Sequence, residues 1–467
     1  MFLPRYRSSF LRKGIRMTPQ PLWSKKGLLT NEQISNFTVG EDPLIDPNFL
    51  SFDCWGTMAH VRQLHHLGHL NQQETREILT LLGEFVNQFA VHLPDLKGYE
   101  DGHSFLEIQL TEKLGETGKK IHLGRSRNDQ VLLAERLWMR HSLLELHHDL
   151  YVLVQQLSSL SDRYASALMP GYTHQRKAMP TTFGFWVASY AEGLTEVLSM
   201  GKDLYRQLNR SPLGAAAGFG SPIPLDRPFV AELLGFDEVQ RNPLNVMSSR
   251  GRYQLDFLHW INQMTHILEK LFIDLSIFSQ EEYQFVSLPD SFTTGSSIMP
   301  QKRNPDVLEL ACGRCSEVRG LRITLENIST GLSSSYHRHS QLQKFYLVRS
   351  FGLAQAIVQI TPELIKHLQV HDVRMKNACS PDLFATHETY QLVQKGLPFR
   401  EAYQQVGDQV LNGTFKAQAP EKYLHQIHLD FSHERQLCNQ QLDTLHSWNN
   451  GTRHHLEILF TQLLECV

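Results

Sequence analysis

Two serines, a lysine and an asparagine stand close together in the stretch Gly295-Ser296-Ser297-Ile298-Met299-Pro300-Gln301-Lys302-Arg303-Asn304-Pro305. Such a set suits carbanion chemistry. Removing a proton from carbon beside a carboxylate needs a base near that proton, with fixed positive charge and N–H donors where negative charge collects. Lys302 supplies the charge. Asn304 reads as a helix N-cap, Pro305 as the first helical residue, and Asp306 and Glu309 as first-turn acids, so the loop should run straight into a helix whose free N–H groups face an anion.

Three further segments carry polar groups at loop–helix junctions. In His122-Leu123-Gly124-Arg125-Ser126-Arg127-Asn128-Asp129-Gln130, two arginines beside a polar helix start could form a carboxylate receptor. A solvated, well-capped helix end with surface arginines accounts for the same residues equally well. In Gly171-Tyr172-Thr173-His174, a histidine at a loop–helix junction could relay protons near neutral pH, although the chain has 24 histidines and one of them by position alone carries little weight. Tyr336, Gln341 and Lys344 share a third segment, which by itself reads as a polar helix connection.

These segments carry a family resemblance. The serine loop resembles the Gly-Ser-Ser-x-Met-Pro-x-Lys-x-Asn-Pro signature of the fumarase/aspartase superfamily, whose members eliminate fumarate from succinyl-type substrates. A bare Gly-Ser-Ser would be a turn before a helix; the residues after it carry the match. The run from His122 to Gln130 is similar to the His-Thr-Gly-Arg-Ser-Arg-Asn-Asp-Gln signature of argininosuccinate lyases, with Leu123 in the threonine's place. Gly-Tyr-Thr-His occurs in the same lyases, although Gln175-Arg176-Lys177-Ala178-Met179-Pro180 departs from their usual continuation. The spacing of Tyr336, Gln341 and Lys344 is also theirs.

The resemblance implies elimination of fumarate from argininosuccinate to leave arginine, without a cofactor or metal. It implies Ser296 as the base, Lys302 as the activating charge and His174 as the acid, with the serine and histidine roles open to exchange. It implies substrate contacts from Thr38, standing for a family serine, from Arg125, Ser126, Arg127 and Asn128, from Thr173 and Asn304, and from Tyr336, Gln341 and Lys344. It further implies a homotetramer whose active sites are shared between subunits. Adenylosuccinate lyase would share the serine loop but not the Arg-Ser-Arg-Asn-Asp-Gln run. A silent lens structural relative would share the fold, and the retained Ser296, Lys302, Asn304, His174 and Asn128 speak against it.

Long helices must position these groups. Leu143, Leu146, Leu150, Leu153, Leu157 and Leu160 step by three and four, as do Ile261, Met264, Leu268, Leu271, Leu275 and Phe278. A third run, Val187, Tyr190, Leu194, Val197, Leu204 and Leu208, places Gly201 at a seam position. Four or five long helices follow, and no series alternates apolar with polar residues. The fold class is all-α, and the resemblance implies a central bundle of long helices flanked by two smaller helical domains. Seams of this length also ask for helix packing between subunits.

Breaks divide the chain into a basic extension over 1–16, an N-terminal helical domain over 17–125, the central bundle over 126–370 and a small separate helical domain over 371–467. Met169-Pro170-Gly171 should end one long helix, and Lys395-Gly396-Leu397-Pro398 should close one helix and open another. Residues 1–16 hold Arg5, Arg7, Arg12, Lys13 and Arg16 without an acid, which suits a presequence or an unused upstream start, with Met17 the preferred start.

Composition excludes other classes. With 45 basic and 48 acidic residues the net charge is -3, giving no electrostatic footprint for nucleic acid, and no apolar run reaches membrane-spanning length. Six cysteines scattered through 467 residues suggest reduced thiols and a cytoplasmic protein. Cys312 and Cys315 form C-x-x-C inside a predicted helix without a second pair, so packing is preferred to zinc. His65, His66 and His69 read as helix surface, and Gly218-Phe219-Gly220 lacks the strand and third glycine of a dinucleotide loop.

Overall fold

A computed structural model describes residues 31–418, residue 423 and residues 432–465. The basic segment 1–16, Met17 and Cys466 lie outside the described residues.

The N-terminal part is a stack of capped helices. Helix α1 (Glu32–Val39) starts where the Asn31 side chain accepts from the N–H groups of Gln33 and Ile34. Helix α2 (Asp42–Ile45) leads into α3 (Leu50–His66), which is buried along most of its length. Asn71 and Glu74 form a reciprocal capping box for α4 (Gln72–Val91), so two otherwise orphaned N–H groups are satisfied at once. Two further helices, α5 (Gly102–Leu114) and α6 (Glu116–Lys119), complete this part.

The expected bundle is present. Helix α7 (Arg127–Arg163) packs along α8 (Phe183–Leu208), α11 (Arg252–Phe278) packs against α8 and α12 (Asp306–Ser329), and α13 (Gln343–His367) closes against α7 and α12. Short helices α9 (Arg227–Leu233) and α10 (Pro243–Ser248) lie in the connection between α8 and α11. The proline-free stretch over 306–361 is two helices, broken around Gly331 at φ +74°. Every residue of the three seams is buried within the one chain. The seams therefore supply the chain's own core and do not themselves ask for a partner. Gly201 is where the Trp260 indole crosses α8, since a Cβ there would lie 3.0 Å from the ring.

Met169-Pro170-Gly171 does not end the long helix. Helix α7 stops at Arg163, and Leu168–Thr173 pairs antiparallel with Arg176–Thr182 in a two-stranded hairpin. The remaining strand pairs are two residues long, so sheet is minor, as expected.

The C-terminal part holds α14 (Asp372–Asn377), α15 (Ala385–Gln394), α16 (Phe399–Leu411) and α17 (Ser432–Leu464). Gly396 at φ +97° closes α15, and α16 follows Pro398. Helix α17 is no separate body: it packs on α8, α7, α3 and α4. Buried Asn449 ties it there by donating 2.9 Å to the Leu144 carbonyl. An apolar flank long enough to bury itself on the bundle outweighs the break in sequence. No described helix is long and apolar enough to cross a membrane.

Candidate active site

The start of α7 is fixed by its own sequence. Ser126 caps the helix, its Oγ accepting from the Asn128 N–H at 3.3 Å while its own N–H donates to Asp129 at 3.0 Å. The second carboxylate oxygen of buried Asp129 accepts the N–H groups of Gly214 at 3.0 Å and Ala216 at 2.8 Å. One side chain thus pins the loop after α8 to the start of α7. Burial raises the Asp129 carboxyl, and its backbone donors and Arg125 oppose the shift. Gly124, at φ +74°, would clash with Ile223 and Leu225 if it bore a Cβ, which accounts for glycine at that place.

A cavity of about 690 Å³ opens at this helix start, and the segment before α13 forms its other wall. Arg125, Ser126, Arg127 and Asn128 line it together with Tyr336, Gln341 and Lys344. The structure thus unites two segments two hundred residues apart in sequence. Five cationic side chains, Arg125, Arg127, Arg250, Arg338 and Lys344, face three carboxylates, Asp42, Glu100 and Asp101. Two more acids stand just behind the wall, Asp46 beside Lys344 and Glu135 at 3.6 Å from Arg250, so the site is densely charged in both signs.

Most of these cations are held, which changes what each can do. Lys344 Nζ donates 2.9 Å to Asp42 and 2.5 Å to Asp46 and is buried. Burial pushes the Asp42 carboxyl up to about 7, Lys344 opposing and Asp46 adding to the shift. Arg127 pairs with Asp101 and, at 3.4 Å, with Glu100. Arg125 turns inward and donates 2.9 Å to Thr57 Oγ1. The expectation that these two arginines form an open carboxylate receptor is therefore corrected: Arg127 is neutralised by two acids and Arg125 supports the wall. Arg250 donates 3.0 Å to the Asn128 carbonyl and lies 5.2 Å from the Tyr336 ring centre.

Thr38 meets this site through its backbone. Gln341 Nε2 donates to the carbonyls of Thr38 at 3.0 Å and Val39 at 2.9 Å, and Arg338 donates to the Thr38 carbonyl at 3.0 Å. The Thr38 hydroxyl instead donates to the Ser35 carbonyl, one helical turn back, at 3.1 Å. Its carbonyl, not its hydroxyl, is what the neighbouring segment uses. Gln341 Oε1 accepts from Arg338 Nε at 3.0 Å.

The serine loop has its own frame. Thr294–Gly295 pairs with Arg303–Asn304, so residues 296–302 form the tip of a short hairpin. Ser296 Oγ accepts from the N–H groups of Met299 at 3.2 Å and Ile298 at 3.4 Å, an arrangement that stabilises negative charge on that oxygen. Lys302 is exposed at the same tip. Asn304 is not the N-cap: it is held in the hairpin, Pro305 takes the cap position without a side-chain bond, and α12 begins at Asp306. The hairpin pairing outweighs the local capping preference of asparagine.

Thr173 and His174 are likewise not at a helix junction. Thr173 ends one strand of the hairpin after α7 and pairs with Arg176, while His174 and Gln175 make the turn at φ +51° and +59°. Both Thr173 and His174 are exposed. Within one chain, Thr173, His174, Ser296, Lys302 and Asn304 do not line the cavity.

Sequence reading missed Glu100, Asp101, Arg250 and Arg338 as cavity residues. Asp101 had a local signal, as the N-cap of α5, accepting from the Ser104 N–H at 2.8 Å; Glu100 precedes it in the chain, Arg338 follows Tyr336 by two residues, and Arg250 is brought in by tertiary packing alone. Among the described residues no cluster of three or more His, Cys, Asp or Glu could hold a metal. Cys312 and Cys315 lie in α12, and burial raises both thiols.

The model of a lyase family matches residues 26–320. An argininosuccinate lyase of Sorangium cellulosum is 41% identical over 393 residues, covering 83% of this chain and 90% of its own. An argininosuccinate lyase of Parabacteroides distasonis is 36% identical over 430 residues, covering 91% and 94%. Among solved structures, EDDS lyase in complex with formate superposes with a TM-score of 0.76 at 22% identity, over 92% of this chain and 94% of that one, which speaks for the fold.

Proposed function

The chain belongs to the argininosuccinate lyase family of the fumarase/aspartase superfamily, and from that membership we propose that it splits argininosuccinate into arginine and fumarate. The observation that carries the reading is the meeting of Ser126–Asn128 with Tyr336, Gln341 and Lys344 in one cavity lined by charges of both signs. Argininosuccinate is rich in carboxylates and also carries a guanidino and an amino group. A wall of five cations and three acids suits both kinds of group.

The elimination takes a proton from the carbon beside a succinyl carboxylate. Ser296 is the proposed base, its oxygen supported by the Ile298 and Met299 N–H groups and by the charge of Lys302 in the same hairpin tip. The electron pair left on carbon spreads into the carboxylate as an aci-carboxylate, then forms the double bond of fumarate as the carbon–nitrogen bond breaks. The departing guanidino nitrogen takes a proton from His174, directly or through water, and arginine leaves.

Ser296, Lys302 and His174 are exposed or half-exposed on two hairpins apart from the cavity. That separation supports a homotetramer in which one chain's cavity is completed by the hairpins of others. Exposed apolar residues on bundle helices, Ile273 on α11 and Leu310 and Ile323 on α12, provide surface for such packing.

Following fumarate absorbance with argininosuccinate and adenylosuccinate in parallel tests the reading. Release from argininosuccinate alone is expected. Release from adenylosuccinate, or from neither, would overturn it.

A further inference from the structure

The two walls of the cavity come from segments far apart in the chain, and the short turn between α10 and α11, Ser249-Arg250-Gly251, reaches both. Arg250 Nη1 donates 3.0 Å to the Asn128 carbonyl in the first turn of α7, on one wall. Its guanidinium carbon lies 5.2 Å from the centre of the Tyr336 ring, on the other, within the range of a cation–π contact. One side chain therefore touches both walls. Ser248, the last residue of α10, adds a second tie on the Tyr336 side: its Oγ accepts at 2.9 Å from the N–H of Ser335, a residue held at φ +82°.

The turn is itself anchored. Arg250 Nη2 lies 3.6 Å from Glu135 Oε1, in a pair whose side chains are 4% and 1% exposed. Glu135 Oε2 accepts from Gln254 Nε2 at 2.7 Å, and Gln254 Oε1 accepts from the Gly251 N–H at 2.9 Å. A Cβ on Gly251, at φ +92°, would fall 2.6 Å from Ser329 Oγ and 2.9 Å from Gln343 Nε2, so the turn sits flush against the end of α12 and the start of α13. These contacts occupy the guanidinium: Nη1 is on a carbonyl, Nη2 faces a carboxylate, and Nε is buried without a hydrogen-bond partner. With its charge matched by Glu135, Arg250 holds its neighbours and leaves little for a ligand.

We propose that Arg250 is a positioning residue for the lyase reaction, fixing the separation and orientation of Asn128 and Tyr336 so that a substrate entering the cavity meets both at once. The proposal rests on the reading of this cavity as the substrate site. A planar guanidinium offers one N–H group to a carbonyl, another to a carboxylate and its face to a ring, three directions that the single ammonium of a lysine does not serve together. Without that tie each wall keeps its own helix but shifts against the other, and the preorganised spacing is lost. Ser296 and His174 stand on hairpins outside this cavity. The loss therefore falls on binding in the ground state and the transition state alike, which raises KM and leaves kcat nearly as it was.

Arg250→Met and Arg250→Lys test the proposal in the full chain. The methionine variant leaves the Glu135 carboxylate buried and unpaired; the lysine variant keeps a charge beside it and carries the test if the first fails to fold. Hydrogen exchange followed by mass spectrometry, without substrate, should be several-fold faster in peptides covering 128–132 and 335–342 and unchanged in those covering 256–275. KM for argininosuccinate should rise about tenfold, with kcat within about threefold of the unsubstituted protein. Unchanged exchange at either wall in a folded variant overturns the proposal. So does faster exchange with KM unaltered, or a loss confined to kcat, which would put Arg250 in the chemical step. If the unsubstituted protein releases no fumarate from argininosuccinate, the proposed function fails, and the exchange measurement alone decides whether Arg250 ties the two walls.

Discussion

Replacing Lys344 by methionine keeps the length of the side chain and removes its charge. Nζ lies 2.9 Å from Asp42 and 2.5 Å from Asp46, with the side chains of Lys344 and Asp46 only 5% and 2% exposed. Removing the cation leaves two buried carboxylates facing each other, and breaking a buried ion pair from one side costs about 3–5 kcal/mol. Protonation relieves part of that cost, so the loss must depend on pH. Burial already pushes Asp42 up to about 7 with Lys344 opposing, and the variant removes the opposition. With the folded value above the unfolded one, near 4, the folded state holds more protons between the two values, and stability falls as pH rises. The deficit should therefore be smallest near pH 5 and largest near pH 8. Urea unfolding followed by circular dichroism at both pH values measures it. The triple variant Asp42→Asn, Asp46→Asn, Lys344→Met should recover most of the stability without recovering turnover, separating the structural charge cluster from its use in binding. A deficit at pH 8 below about 1 kcal/mol, or one that does not change with pH, would refute the reasoning.

Other substitutions probe the core and the site separately. Gly201→Ala sets a Cβ 3.0 Å from the Trp260 indole and should lower stability by about 1–3 kcal/mol through overpacking, read as a shift in urea midpoint. In the buried pair Asp53–His103, at 2.7 Å, burial would raise Asp53, yet His103 and Arg125 hold it below its usual value. The stability it contributes is present above the unfolded value and lost as pH falls, so Asp53→Asn should destabilise at neutral pH and flatten the loss below about pH 4, as thermal melts across that range would reveal. Asn128→Ala should lower kcat/KM by about tenfold to a hundredfold, as expected for a lost hydrogen bond to a charged group, with the melting temperature unchanged.

The long helices were legible because their buried stripes are written in leucine spacing, and Ser126 and Asp129 announce the start of α7 as a capping box. The hairpins were not. Pro170, Gly171 and Pro180 interrupt the strand pattern around the turn at His174 and Gln175, which adopts positive φ without glycine or asparagine, so periodicity offers nothing to find. Asn304 failed as a cap because its local preference is outweighed by pairing with Thr294, a contact ten residues away. The seams were read correctly as apolar and wrongly as needing an outside partner, since burial by one's own chain and by a neighbour leaves the same pattern. In the cavity, the Ser126–Asn128 and Tyr336–Lys344 segments were found by their resemblance to the family's motifs, since the residues alone read equally well as a capped helix end and a polar connection. Glu100 and Arg250 have no spacing relation to either, Arg338 lies inside the second segment among other polar residues that do not single it out, and Arg127 looked free only because the acids that hold it are in another helix connection.

The central claim is that Ser296 removes a proton from argininosuccinate. Its most direct test is fumarate release by the Ser296→Ala variant, measured beside the unsubstituted protein with folding checked by circular dichroism. The account predicts a fall in turnover of about 10²–10⁴ with an unchanged melting temperature. Turnover within a few-fold of the unsubstituted protein, with the fold intact, would contradict it.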